Sequence, residues 1–131
     1  MIDVLRDDVH AADLDNRCRL PLPSPAQRAD PRGLETMVRQ LARGGFFPCI
    51  RGGSRWAVLV DGDPVGAFEV PGRGARRLRR LRLEGHGERP PPLPRARLEF
   101  RRAPAPWRLA DWLHGVLHPL PLRLLNCSPH G

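Results

Sequence analysis

Three short runs of apolar and β-branched residues occupy the middle of the chain, and each ends at a cluster of Gly, Asp or Pro. Short runs bounded by turn residues in this way predict the strands of an antiparallel meander. The predicted strands cover residues 46–51, 55–60 and 65–70, with turns at 52–54 and 61–64.

A helical pattern precedes this meander. Apolar residues recur at intervals of three and four, which is the spacing of one helix face. Asp30 is placed to cap the helix, with Pro31 in its first turn and Gly44 and Gly45 at its end. The apolar positions are Leu34, Met37, Val38, Leu41 and Ala42.

A second helical pattern begins near Pro106 and ends at His118, because the residue before Pro119 is pushed out of helical geometry. Residues 120–125 then form either a last strand or a cover for the core. The apolar face of this predicted helix consists of Leu109, Trp112, Leu113, Val116 and Leu117.

Between the two helices, residues 76–84 fit two patterns. Leu78 and Leu81 are spaced as in a helix, whereas Leu81 and Leu83 are spaced as in a strand. Residues 85–95 are predicted to form a loop. Its segment 90–94 (Pro-Pro-Pro-Leu-Pro) resembles a polyproline ligand, or else acts as a stiff connection. From 95 to 101, apolar and charged residues alternate, which predicts an amphipathic strand with one basic face.

The first 32 residues are predicted to lie outside the domain. Ile2, Leu5, Val9 and Ala12 have helical spacing, so residues 1–16 form either a short amphipathic helix or a frayed acidic arm. Residues 20–32 contain four prolines and are interpreted as a linker. The predicted division is an arm and linker at 1–32, one domain at 33–126, and a tail at 127–131.

The expected fold is therefore a small single α+β domain. We expect an antiparallel β-meander of about four to five strands, with one helix before it and one after it. The predicted core consists of Trp56, Val58, Val60, Ala67, Leu98, Phe100, Leu113 and Val116.

Length and composition fit one domain with a modest core, since 131 residues are 40% hydrophobic. The N-terminus is acidic and has no apolar run, unlike a secretory signal, and no stretch approaches the roughly 18 apolar residues that span a membrane. Three widely spaced cysteines do not make a disulfide framework. A cytoplasmic protein with reduced thiols is expected.

Charge adds the one functional indication. Residues 73–102 hold eleven arginines and three acids, while the rest of the chain holds eleven arginines and eleven acids. The net charge of +8 is therefore local, as in a patch for an anionic partner. The chain has no lysine, so the use of arginine in place of lysine says little about phosphate binding, and the clustering of the arginines is the more informative feature.

We predict that this block folds as a hairpin with one basic face, because a stiff loop joins segments 76–82 and 95–102. A phosphate backbone would supply the counter-charge that such a face needs. No aromatic residue lies within 73–99, which favours backbone contact over base stacking. The candidate anion-binding residues are Arg73, Arg76, Arg77, Arg80, Arg82, Arg95, Arg97 and Arg101.

The predicted function is thus a non-enzymatic binding module that contacts nucleic acid without reading its sequence. The alternative is a protein-interaction or regulatory subunit whose basic face is covered by an acidic protein or by the acidic arm. A solvated face with no partner is the plain structural interpretation, since charge runs are often only solvated.

Other chemistry has little support. Cys127 and His130 have the spacing of half a zinc site, and His114 and His118 share a helix face, which makes them weak metal candidates. The serines and the Asp61–Gly62–Asp63 segment lie in turn contexts, and no catalytic constellation or cofactor motif is found. No cofactor and no membrane partner are expected.

Overall fold

The structure is a computed structural model that describes residues 1–7, 16–73 and 76–103. These residues form a small single domain with one six-stranded sheet and two short helices. The strands are β1 (Ile2–Arg6), β2 (Arg17–Leu20), β3 (Ser54–Val60), β4 (Asp63–Val70), β5 (Arg79–Leu83) and β6 (Arg97–Arg102). The helices are α1 (Pro25–Ala29) and α2 (Gly33–Arg43).

The strand order is β2-β1-β6-β3-β4-β5. β1 and β6 pair in parallel, and every other neighbouring pair is antiparallel. The expected small α+β domain is confirmed at this level. The predicted four to five strands in an antiparallel meander are wrong, because the sheet is mixed and has six strands. Only β3, β4 and β5 form a meander.

The first strand corrects the prediction for the N-terminus. Ile2 and Val4 are fully buried and alternate with the exposed Asp3, so residues 2–6 are a strand and not a helix. Val4 lies opposite Leu98 of β6 and Cys18 of β2, which places β1 inside the sheet. Tertiary pairing here overrides the three-and-four spacing.

The proline-rich segment also contains regular structure. Ser24 caps α1: its side chain accepts a hydrogen bond from the Gln27 amide, and the Gln27 side chain accepts one from the Ser24 amide. Pro25 occupies the first turn, where a missing N–H costs nothing. The predicted linker at 20–32 therefore includes the end of β2 and the whole of α1.

Residues 46–51 are not the predicted first strand. Pro48 interrupts them, and a proline cannot donate to a sheet ladder. Phe47 is instead buried in the core, and its ring packs edge-on against the rings of Phe68 and Phe100 at centroid distances of 4.8 Å. The apolar residues of segment 46–51 therefore serve burial in the core and do not pair as a strand.

The predicted hairpin is confirmed as β3 and β4. Its turn residues Asp61 and Gly62 have φ values of 49° and 90°, the left-handed geometry that two-residue hairpin turns require. Residues 79–83 settle the ambiguous segment as a strand, and the amphipathic strand predicted at 95–101 is observed as β6.

The core lies between one face of the sheet and α2. Leu34, Val38 and Leu41 of α2 join Trp56 and Phe68 in one buried cluster. Six predicted core residues are buried, namely Trp56, Val58, Val60, Ala67, Leu98 and Phe100. Leu113, Val116 and the predicted C-terminal helix lie outside the described residues.

The start of α2 differs by two residues from the prediction, because Arg32 and not Asp30 is its N-cap. Asp30 ends α1, and its carboxylate accepts a hydrogen bond from the Arg32 amide at 2.9 Å. Within the described ranges, neither helix has the length and apolar character needed to cross a bilayer.

Candidate nucleic-acid interface

The sheet has a second face, which points away from α2 and is called the distal face below. Trp56, Val58 and Val60 of β3 belong to the core, so strand alternation puts Arg55 and Leu59 on the distal face. The same parity, followed through the register, assigns a face to the residues of every strand outside the β5 bulge, where the register shift sets Arg79 opposite Glu69.

Seven arginines occupy the distal face. Ala57 is opposite Arg101, Ala67 is opposite Arg82, and Asp3 is opposite Arg97, which ties five strands to this face. All of the arginines except the partly buried Arg55 are exposed. They are Arg17, Arg19, Arg55, Arg80, Arg82, Arg97 and Arg101.

Three acids on the distal face stand among these arginines. Asp3 meets Arg19 at 3.3 Å. Glu99 lies 3.6 Å from Arg97 and 3.8 Å from Arg101. Glu69 similarly lies 3.4 Å from Arg55 and 3.5 Å from Arg80. Within the described residues, Arg17 and Arg82 form no ion pair, so the face retains an excess of positive charge.

The predicted hairpin between the two halves of the basic block is wrong. β3 and β4 lie between β6 and β5, so the two basic strands are separated by about 14 Å at ordinary strand spacing. Arg80 and Arg82 nevertheless share the distal face with Arg97 and Arg101. The basic face therefore extends over the sheet.

The remaining predicted residues point elsewhere. Arg76 and Arg77 lie beside α2, where they line a groove of about 380 Å³ with Arg39 and Arg43. Arg73 is exposed in the segment after β4. Arg95 precedes β6 and donates its backbone N–H to Asp61. None of these four lies within a strand of the sheet.

The sequence prediction missed Arg17, Arg19 and Arg55, because all three lie outside the basic block. The alternation Arg17-Cys18-Arg19-Leu20 is a weak strand pattern that could have indicated the first two. Arg55 begins a predicted strand, but its face follows only from the location of the core. Strand order is what joins these residues to the distal face.

Arg6 has a structural role. Arg6 is 7% exposed, its Nε donates to the Phe46 carbonyl oxygen at 2.7 Å, and its guanidinium lies 5.4 Å from the centre of the Phe46 ring. This side chain is on the α2 side of the sheet and belongs to the core boundary.

Asp61 fixes the start of β6. Its carboxylate accepts backbone hydrogen bonds from Arg95, Ala96 and Arg97 at 2.8 to 2.9 Å. Partial burial raises the pKa of Asp61, but the three amides and the positive charge of Arg95 outweigh it, so the pKa lies below its ordinary value. Asp61 thus holds the basic strand in position from one end.

The aromatic residues that the structure describes all pack on the α2 side. Phe46, Phe47, Trp56, Phe68 and Phe100 form a network of tilted and edge-on ring contacts. The distal face, as far as the described strands show it, therefore offers guanidinium groups without a stacking platform. This arrangement suits contact with phosphates and not with bases.

The weak metal candidates Cys127, His130, His114 and His118 lie outside the described residues. In the part of the chain that is described, no three His, Cys, Asp or Glu residues come together as a metal site would require. Burial raises the pKa of the Cys18 thiol, and the exposed Cys49 thiol donates a hydrogen bond to the Gly72 carbonyl oxygen at 2.7 Å.

Comparison with protein-family models, with curated proteins and with solved structures finds no match to this chain.

Proposed function

We propose that this protein is a non-enzymatic binding module that holds the phosphate backbone of nucleic acid on its distal face. The observation that carries the proposal is the gathering of seven arginines from four strands onto one face with only three acids. The proposed location is the cytoplasm, as the sequence predicts.

The ion pairs on this face are compatible with a ligand. Their arginine side chains are exposed, those of Arg19, Arg80 and Arg101 being 63–72% accessible, whereas the Glu69 and Glu99 side chains are 19% and 21% accessible. A phosphate can therefore reach these guanidinium groups from the solvent while the carboxylates stay in place. The acids also separate the guanidinium groups, which lowers their mutual repulsion when no ligand is bound.

The spacing of these groups fits an extended polyanion. Arg97 and Arg101 are four residues apart on one strand, or about 13 Å, and Arg82 is three strands away. A sheet face of this size can meet several phosphates at once and release their counterions. With no aromatic side chain described there, the contact is expected to be insensitive to base sequence.

The test compares two triple variants that remove the same net charge. Arg82→Gln/Arg97→Gln/Arg101→Gln removes three guanidinium groups from the distal face. Arg28→Gln/Arg32→Gln/Arg89→Gln removes three that belong to no strand. Affinity for a mixed-sequence duplex is measured between about 50 and 200 mM salt, a range over which backbone contacts weaken strongly.

The distal-face variant is expected to bind more weakly and to lower the slope of log affinity against log salt by about 2–3, since each lost phosphate contact removes about 0.9. The control variant is expected to retain the wild-type slope. Equal losses in the two variants would mean that only bulk charge matters, and absent or salt-independent binding by the wild-type protein would refute the proposal.

The alternative is an acidic protein partner on the same face. It is favoured if the wild-type protein ignores duplex and single strands at low salt but binds an acidic polypeptide, and if the distal-face variant loses that binding. The idea that the N-terminal arm covers this face has weaker support. Residues 2–6 are part of the sheet, and Asp3 is already paired with Arg19.

A further inference from the structure

A second basic feature lies at one end of the sheet. A cleft of about 330 Å³ opens between the turn at 52–53 and the segment after β4. The ends of three strands reach it, and an arginine of each lines it. Arg55 of β3 comes from the distal face, Arg79 of β5 lies opposite Glu69, and Arg102 of β6 lies opposite Trp56 on the α2 side. Glu69 is the one carboxylate among the residues that line it.

Contacts with neighbouring residues fix part of this cleft. Glu69 lies 3.4 Å from Arg55, and the backbone N–H of Arg102 donates to the Asp7 carboxylate at 2.8 Å. A β-bulge where β5 meets β4 sets Arg79 opposite Glu69 while the next residue, Arg80, pairs with that same carboxylate. The Arg55 side chain and the Arg102 backbone are therefore held in place before any ligand binds.

Glycine residues of two turns form part of the wall of this cleft. Gly53 has a φ of 85°, and a Cβ there would lie 3.1 Å from the Val70 carbonyl oxygen. A Cβ on Gly72 would lie 3.0 Å from the Gly52 nitrogen. The two turns thus pack so closely that only glycine fits, and peptide groups instead of side chains border the cleft. Backbone N–H groups next to arginines are typical of phosphate sites, but the Gly53 N–H already donates to the Ile50 carbonyl oxygen at 2.8 Å, so the donors of this cleft are chiefly its arginines.

We infer that this cleft binds a phosphate monoester. The lining holds three guanidinium groups and one carboxylate, an excess of positive charge that favours the dianion that a monoester carries above its second pKa of about 6. The volume is at the lower end of the range for ligand pockets, about 300 Å³, and suits a small group better than a polymer. Internal phosphodiesters, with one charge each, remain ligands of the flat distal face. The monoester is either the terminal phosphate of a strand or part of a free nucleotide.

The experiment uses the full chain and four probes: inorganic phosphate, a nucleoside monophosphate, and a short oligonucleotide with either a 5′-phosphate or a 5′-hydroxyl. Arg79→Gln/Arg102→Gln is compared with Arg28→Gln/Arg89→Gln, which removes the same charge at positions outside the cleft. The first variant is expected to lose at least tenfold in affinity for the monoesters, and the second to match the wild-type protein. Wild-type affinity is also expected to rise from pH 5 to pH 7.5, as the second phosphate proton is lost.

The source of the phosphate is separated by the same probes. Preference for the phosphorylated oligonucleotide over the free nucleotide indicates a strand end, and equal affinity indicates a nucleotide. The distal-face variant Arg82→Gln/Arg97→Gln/Arg101→Gln should lower the affinity for both oligonucleotides equally. The proposal for the distal face and the inference for the cleft can therefore be refuted separately. Phosphate-induced shifts of the Gly52, Gly53 and Gly72 amide resonances in the wild-type protein test the site without any substitution. No shift, or no preference for the 5′-phosphate, overturns the inference.

Discussion

Asp61 and Arg97 are bonded to each other twice through their backbones and the Asp61 carboxylate. The Asp61 amide donates to the Arg97 carbonyl oxygen at 2.9 Å, and Asp61 Oδ1 accepts from the Arg97 amide at 2.9 Å. These bonds join the β3–β4 turn to the first residue of β6. The turn that closes the local hairpin thereby also positions the basic strand.

Replacing Asp61 with Asn tests this joint. Asn tolerates the left-handed backbone of this turn, but it keeps only one acceptor oxygen and no charge. We expect Asp61→Asn to lower the free energy of unfolding by about 1–2 kcal/mol, the range for charge-assisted hydrogen bonds at a partly exposed site. Asp63→Asn, two residues away in the same hairpin, should change it by less than about 0.5 kcal/mol. Urea unfolding measures both, and equal effects would contradict the assignment.

The same carboxylate makes stability depend on pH. Because the pKa of Asp61 is lower in the folded than in the unfolded protein, its contribution is present above the unfolded value of about 3.9. It is lost as pH falls through the folded pKa. We expect the stability difference between wild type and Asp61→Asn to be constant above about pH 5 and to shrink below about pH 4. A difference that stays constant down to pH 2.5 would show that the carboxylate charge contributes nothing.

Gly66 permits the close approach of β5 to β4. A Cβ at this position would overlap the Arg82 carbonyl oxygen and lie 2.9 Å from Leu83 Cα. Backbone atoms cannot move aside as a side chain can, so Gly66→Ala should destabilise the protein by about 2–3 kcal/mol. Gly44→Ala is the control, because its Cβ would make only ordinary contacts at the end of α2.

The position of this damage can be measured as well. Hydrogen exchange of the β5 amides should accelerate more than that of the β1 amides in Gly66→Ala, since the atoms nearest the added Cβ belong to β5 and β1 does not adjoin β4. Uniform acceleration across the sheet would show instead that β5 does not separate from the rest. Because β5 bears Arg80 and Arg82, its displacement should also weaken binding at the distal face.

The part of the fold that the sequence predicts is the part set by local chemistry. Asp61 and Gly62 specify a tight hairpin turn, and the helix pattern from Leu34 to Ala42 needs only its own periodicity. β1 was not predicted because its five residues have two plausible periods. The deciding contact, Val4 with Leu98, joins positions 94 residues apart. Contacts of this kind leave no trace in a local pattern.

The candidate site divides in the same way. Arg97 and Arg101 share a face because strand side chains alternate, and the sequence was sufficient for that. The sequence could not show that Arg17 and Arg19 join them, because this depends on β1 inserting beside β6. Nor could it separate Arg76 and Arg77 from the face, since their segment precedes the strand and turns toward α2.

Arg80 lies at the bulge of β5 with a φ of 51°, a backbone conformation that costs residues with a Cβ about 1–2 kcal/mol. Glycine avoids this cost, so Arg80→Gly should leave the free energy of unfolding unchanged or slightly raised, even though the exposed pair with Glu69 is lost. Arg82→Gly, in regular strand geometry two residues further, should lower it by about 1 kcal/mol. Urea unfolding of the two variants is the measurement. If Arg80 is an ordinary strand position without strain, the two glycine variants will be equally destabilised. If duplex affinity falls in both variants while only Arg82→Gly loses stability, the loss of binding at Arg80 reflects its guanidinium and not a weakened fold.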